Sequence, residues 1–90
     1  MTYTVTFTAF AETQLATIWL RAKNQQAVAN ASDQMEVMLR SNPEQVGRLR
    51  SDGRRAIAKP PLGFTFEVNS DDRRVTVVSV RYLPRFRKSQ

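Results

Sequence analysis

The groups able to do chemistry in this 90-residue chain are almost all cationic. Arg54, Arg55 and Lys59 lie on or beside one short predicted strand, and Arg81, Tyr82 and Arg85 follow another. Guanidinium and ammonium groups can hold a scissile phosphate and offset the charge that develops on it. Glu67 and Tyr82 are the nearby groups able to move a proton, and a tyrosine ring can also stack on a base. There is no histidine and no cysteine, which excludes a Ser-His-Asp triad, a histidine general base and any histidine or thiolate metal site. Three scattered glycines form no phosphate-binding loop, and no cofactor is expected. The Asp33–Glu36 pair reads as a solvent-facing helix edge.

The positive charge is clustered. Lys and Arg number 14 against 8 acidic residues, for a net charge of +6, and eleven of the cations are arginine, whose planar fork matches phosphate and carboxylate. Residues 1–20 hold no cation, residues 48–59 hold five and residues 73–88 hold six. The bland reading is a solubility charge. The uneven distribution favours a polyanion instead: RNA, DNA or an acidic protein segment.

These residues must be positioned by one small domain spanning residues 1–90, with a modest core. The absence of cysteine fits a reducing cytoplasm, no apolar run reaches membrane-spanning length, and the N-terminus has no secretory-signal pattern, so a cytoplasmic protein with no membrane partner is expected. Tyr3, Val5 and Phe7 alternate with threonines, predicting a half-buried strand over 2–8. Leu15, Ile18, Trp19 and Ala22 recur at helical spacing after Thr8, a plausible N-cap. A second stripe, Val28, Ala31, Met35, Met38 and Leu39, predicts a helix from about Gln26 to Arg40, stopped by Ser41-Asn42-Pro43. A polar connector over Pro43–Gly53 precedes a strand over Arg54–Lys59. Pro60-Pro61 mark a bend. Phe64, Phe66 and Val68 alternate in a half-buried strand, Asn69 to Asp72 is turn chemistry, and Val75–Val80 reads as the most buried strand. The order β-α-α-β-β-β predicts an α+β fold, a helical hairpin packed on a mostly antiparallel four-stranded sheet. Alternation sets Arg55, Ile57 and Lys59 on one face and Arg54, Ala56 and Ala58 on the other, with Arg54 the better candidate for the open face. Should the last strand be central and antiparallel to 62–69, Lys59, Arg81 and Arg85 would converge on one concave rim.

This layout, and the stretch LRSNPEQVGRLRSDGRRAIAKPPLGFTFEVNSDDRRVTVVSV over residues 39–80, resemble the RelE/ParE superfamily of bacterial type II toxins. The likeness lies in a helix end, Asn-Pro, a basic connector, a short strand, Pro-Leu-Gly-aromatic, an aromatic-x-Val strand, an acidic turn with Asp-Arg and a valine-rich strand. The resemblance implies a cognate antitoxin that wraps the toxin and covers its basic groove in a toxin–antitoxin hetero-oligomer. It implies one of three activities: RelE-like cleavage of messenger RNA on the ribosome, ParE-like inhibition of DNA gyrase, or antitoxin binding alone. Carried over by position, Arg54 and Lys59 fall on the strand that supplies basic residues, and Arg81, Tyr82 and Arg85 stand for the C-terminal arginine and tyrosine, making these five the catalytic candidates. Gly63 stands where the next strand typically carries an arginine. Arg48, Arg50, Arg55 and Arg87 are the candidates for contacting nucleic acid or the antitoxin.

Overall fold

The computed structural model describes residues 2–83. β1 (Thr4–Phe7) opens the chain, its Val5 and Phe7 turned inward and its threonines exposed. Thr8 then caps α1 (Ala9–Arg21), its side chain accepting from the Ala11 N–H at 3.0 Å, with Glu12 in the first turn and Arg21 in the last, where the helix dipole favours each. Asn24 caps α2 (Gln25–Ser41) in the same way through the Ala27 N–H. Val28, Ala31, Met35 and Leu39 form the buried stripe of α2, joined by Ser32. Leu15 and Ile18 of α1 and Ala22 at its C-cap pack partly against the core. Trp19 and Met38, expected in the core stripes, are 41% and 39% exposed. Each precedes or follows an inward residue by one position, about 100° round the helix, and so falls on its flank.

After α2 come β2 (Arg48–Leu49), β3 (Arg55–Lys59), β4 (Leu62–Asn69) and β5 (Arg74–Tyr82). The sheet is five-stranded in the order β1-β5-β4-β3-β2. All pairings are antiparallel except β1 with β5. The class is the expected α+β, with one strand more than the four expected. The extra strand, β2, is two residues within the polar connector, too short to show a period of two. Gly47 leads into it at φ 75°, and a Cβ there would overlap the Ala56 carbonyl, so the close approach of β2 to β3 requires glycine.

β4, rather than β5, is the most buried strand: Leu62 to Phe66 are buried without interruption. Leu62, Phe64 and Phe66 meet the helices, and Phe64 meets Phe7 edge to face at 5.5 Å. On the other side Leu83 packs over Gly63, close enough that a Cβ on Gly63 would lie 2.9 Å from Leu83 Cδ1. β5 carries a bulge: Thr65 pairs with Ser79 and Phe66 with Val77, leaving Val78 unmatched. Val75 and Val77 face the helices before the bulge and Val80 does so after it, so Ser79 and Arg81 turn to the opposite face. The helices thus cover one side of the sheet and leave the other open. Among the described residues no helix is long and apolar enough to cross a membrane.

Candidate functional site on the open face of the sheet

Residues directly opposite one another on adjacent strands share a face, so register alone builds the open surface. One row runs Ala58, Gly63, Arg81. The next runs Arg48, Ala56, Thr65, Ser79. A third brings Arg54 beside Glu67, with Arg50 donating its N–H to the Arg54 carbonyl at 2.7 Å. The centre of this surface carries only Ala, Gly, Thr and Ser. Its floor is therefore low, and a shallow depression of about 630 Å³ lies between Arg48, Arg50, Arg81 and Leu83.

The arginines around it are not equivalent. Arg54 Nε donates to Glu67 Oε2 at 2.7 Å, and this hydrogen bond, with the attraction of the carboxylate, holds the guanidinium above its already high ordinary pKa. Arg50 lies 3.7 Å from Asp52. Among the described residues no carboxylate lies within 4.0 Å of Arg48 or Arg81. Both are exposed and extend from opposite sides of the small-residue floor. At the other end of the face Glu67, Asn69, Asp71, Asp72 and Arg74 surround a polar hollow, so the surface grades from cationic to mixed charge.

The sequence-predicted residues divide between the two faces. Arg54 and Arg81 lie on the open side with Arg48 and Arg50, while Arg55, Lys59 and Tyr82 lie on the helix side. Lys59 stands opposite Leu62, which stands opposite Tyr82, so the expected convergence of Lys59 with Arg81 on one rim does not occur. The reason is parity: Lys59 keeps the phase of buried Ile57, whereas the bulge at Val78 puts Arg81 in the opposite phase. Arg85 and Arg87 lie outside the described residues. Thr65, Ser79 and Leu83, which shape the floor, were not among the candidates. The doubled valine at 77–78, which breaks the alternation, is the sequence signal that bears on Ser79 and Arg81.

Chemically, two guanidiniums without a carboxylate partner among the described residues, set across a low floor, suit a phosphodiester, since each offers a fork of donors to non-bridging oxygens. Glu67 is the carboxylate on this surface nearest the arginines and is engaged by Arg54. Tyr82, on the other side of the sheet, is directed away from this phosphate position.

No protein-family model matches the chain, and no curated protein matches it. Among solved structures it is similar to the toxin-antitoxin complex RelBE2 from Mycobacterium tuberculosis, at a TM-score of 0.75 and 20% identity over 91% of this chain and 92% of that one. It is also similar to a chromosomal ParDE TA system from P. aeruginosa, at a TM-score of 0.72 and 15% identity over 91% of this chain and 97% of that one.

Proposed function

We propose that this chain, which has the RelE/ParE fold, is the toxin of a type II toxin–antitoxin pair, acting in the cytoplasm, and that its open sheet face holds messenger RNA on the ribosome for cleavage. The observation that carries this reading is the pair Arg48 and Arg81, free of carboxylates among the described residues, on either side of the Ala58, Gly63 and Thr65 floor. In this reading the two guanidiniums grip the scissile phosphate and offset the charge that builds on its oxygens as the 2′-hydroxyl attacks. Glu67, released from Arg54 when RNA displaces the pair, accepts the 2′-hydroxyl proton, and the departing 5′-oxygen takes a proton from water. No metal enters the scheme. A cognate antitoxin binds the chain and silences it.

A second reading, ParE-like inhibition of gyrase by binding alone, is favoured by two observations: Tyr82 faces the helix side, and Glu67 is already engaged. One pair of assays separates them. Purified chain is added to a translation reaction and the message is mapped by primer extension, in parallel with a gyrase supercoiling assay. The first reading expects cuts that disappear in Arg48→Ala and Arg81→Ala. An intact message together with inhibited supercoiling overturns it in favour of the second. An intact message with normal supercoiling and normal growth of a host expressing the chain alone overturns both.

A further inference from the structure

We infer that Thr65 is a specificity-determining residue of the open face: its hydroxyl hydrogen-bonds the ribose 2′-hydroxyl of a strand held by Arg48 and Arg81, so that the site takes RNA in preference to DNA. The inference deepens the RNA reading, on which it rests for the identity of the ligand.

Three observations converge on this residue. The first is a hydroxyl without a partner. Thr65 is 8% exposed and, with Ser32, is one of two buried polar residues among those described. Buried polar groups are ordinarily hydrogen-bonded, because an unmade bond costs the desolvation of the group. Among the described residues the Thr65 hydroxyl makes no hydrogen bond. Yet no side-chain nitrogen or oxygen among them is sealed away without a partner. The hydroxyl therefore keeps an opening. Phe64 and Phe66 on either side turn to the helices, so Thr65 opens on the depression between Arg48 and Arg81.

The second is what the arginines cannot do. A guanidinium donates and never accepts, and it grips the phosphates of DNA as it grips those of RNA. Discrimination needs a group facing the sugar, where the 2′-hydroxyl tells RNA from DNA. A threonine hydroxyl both donates and accepts, as the 2′-hydroxyl does. The other side chains lining the depression are arginines or carry no polar atom, so Thr65 is the one among them that can accept a hydrogen bond. Ser79, directly across on β5, is only half-buried and lines a separate hollow beside α1. The third is order along β4. Gly63, Thr65 and Glu67 follow one another on the open face, about 6.6 Å apart at strand spacing. A sugar running from a phosphate at the Gly63 end toward Glu67 passes over Thr65. There the Thr65 hydroxyl donates to the 2′-oxygen and leaves that group's own proton directed at Glu67.

The test uses the full chain and two labelled oligonucleotides of one sequence built only from A, C and G, so that the ribo and deoxyribo forms differ in the 2′-hydroxyl alone. Fluorescence anisotropy at one salt concentration reads both affinities. The parent should prefer the ribo form about five- to tenfold, the size of one neutral hydrogen bond. In Thr65→Val the ribo affinity should fall to the deoxyribo value, which itself stays unchanged. At a smaller size, Thr65→Ser should keep the preference and Thr65→Ala lose it, so the comparison survives a valine variant that fails to fold. Because the hydroxyl has no partner in the free chain, Thr65→Val should melt no lower than the parent. A merely structural hydroxyl would lower the melting temperature and both affinities together, and that result overturns the inference. So does a preference equal in the parent and the Val and Ala variants, a parent that binds both forms alike, or no ribo binding at about millimolar oligonucleotide. An uncut message from a chain whose preference depends on Thr65 sinks the cleavage reading and keeps this inference. A cut message with a preference that Thr65→Val leaves unchanged does the reverse.

Discussion

Arg81 stands directly across from Gly63 on neighbouring strands, so its guanidinium rises from a surface with no side chain beside it on β4. Arg48 stands three strands away on β2, beyond Thr65 and Ala56. Leu83 packs over Gly63, so the proposed anion site is the low floor beside it, over Ala56, Ala58 and Thr65, as much as the arginines that border it.

Removing either arginine should therefore weaken binding without harming the fold. For single-stranded RNA the logarithm of the affinity falls with the logarithm of salt concentration by about 0.7 per phosphate neutralised. Arg48→Ala and Arg81→Ala should each reduce that slope by about 0.7, and the double variant by about 1.4. Anisotropy titrations with a labelled oligoribonucleotide across a salt series measure it. Slopes identical to the parent would show that these two residues touch no phosphate.

Gly63→Arg should fill the floor. The position is buried beneath Leu83, whose terminal methyl must move for even a methyl group to fit. A guanidinium arm there displaces Leu83 and occupies the space proposed for the phosphate. The expected outcome is lost message cleavage in the translation assay, with a lowered melting temperature.

Gly47 and Gly53 both sit at positive φ, 75° and 86°, but only Gly47 is crowded. Gly53→Ala meets nothing within 4 Å and carries the dihedral strain alone, about 1 kcal/mol. Gly47→Ala adds an overlap with the Ala56 carbonyl and should cost distinctly more, about 2–3 kcal/mol or above, with β2 detached from β3. Urea denaturation of the two variants compares them directly. Equal costs would mean that β2 is not held against β3 in solution.

Phe64→Ala removes the ring at the centre of β4, which is 1% exposed and packs edge to face on Phe7. Such truncations cost about 3–5 kcal/mol. A small domain has about 5–15 kcal/mol in total, so this variant should be largely unfolded at body temperature. Loss of amide dispersion in a proton–nitrogen correlation spectrum would show it.

Stability should be flat from about pH 6 to pH 8, because the chain has no histidine and no other side chain ordinarily titrates there. The shifted group does not alter this. Arg54 is raised in the folded state, so its contribution is fully present below its unfolded pKa and is lost only as pH climbs through the folded one, far above neutrality. Melting curves across that range provide the check. A clear slope would point to a partner-bound or terminal group in place of the arginines.

Much of this was readable in the residues, for physical reasons that differ by element. The helix limits were legible because Thr8 and Asn42-Pro43 act locally, through capping and backbone sterics. The face of Arg54 was legible because Ile57, three positions on, commits the opposite face to the core. Tyr82, next to Arg81 on β5, takes the opposite face by alternation alone, but the position of Lys59 relative to Arg81 was not legible, because it depends on how the bulge at Val78 sets β5 against β4. The burial of Thr65 escaped for a related reason: it is imposed from the open side by neighbours on β3 and β5 rather than by polarity. β2 pairs through Arg48 and Leu49, both exposed, and so left no apolar pattern to find.

The parallel pairing of β1 with β5 joins partners some seventy residues apart, Thr4 against Arg74. During vectorial synthesis the first strand has nothing to zip onto until the last one emerges, and such long-range closure is slow. The parallel pair therefore closes only after β5 has been made. In the proposed toxin reading, β5 must be made before Arg81 can stand across from Arg48, so the proposed site is completed only with the last strand of the sheet in chain order.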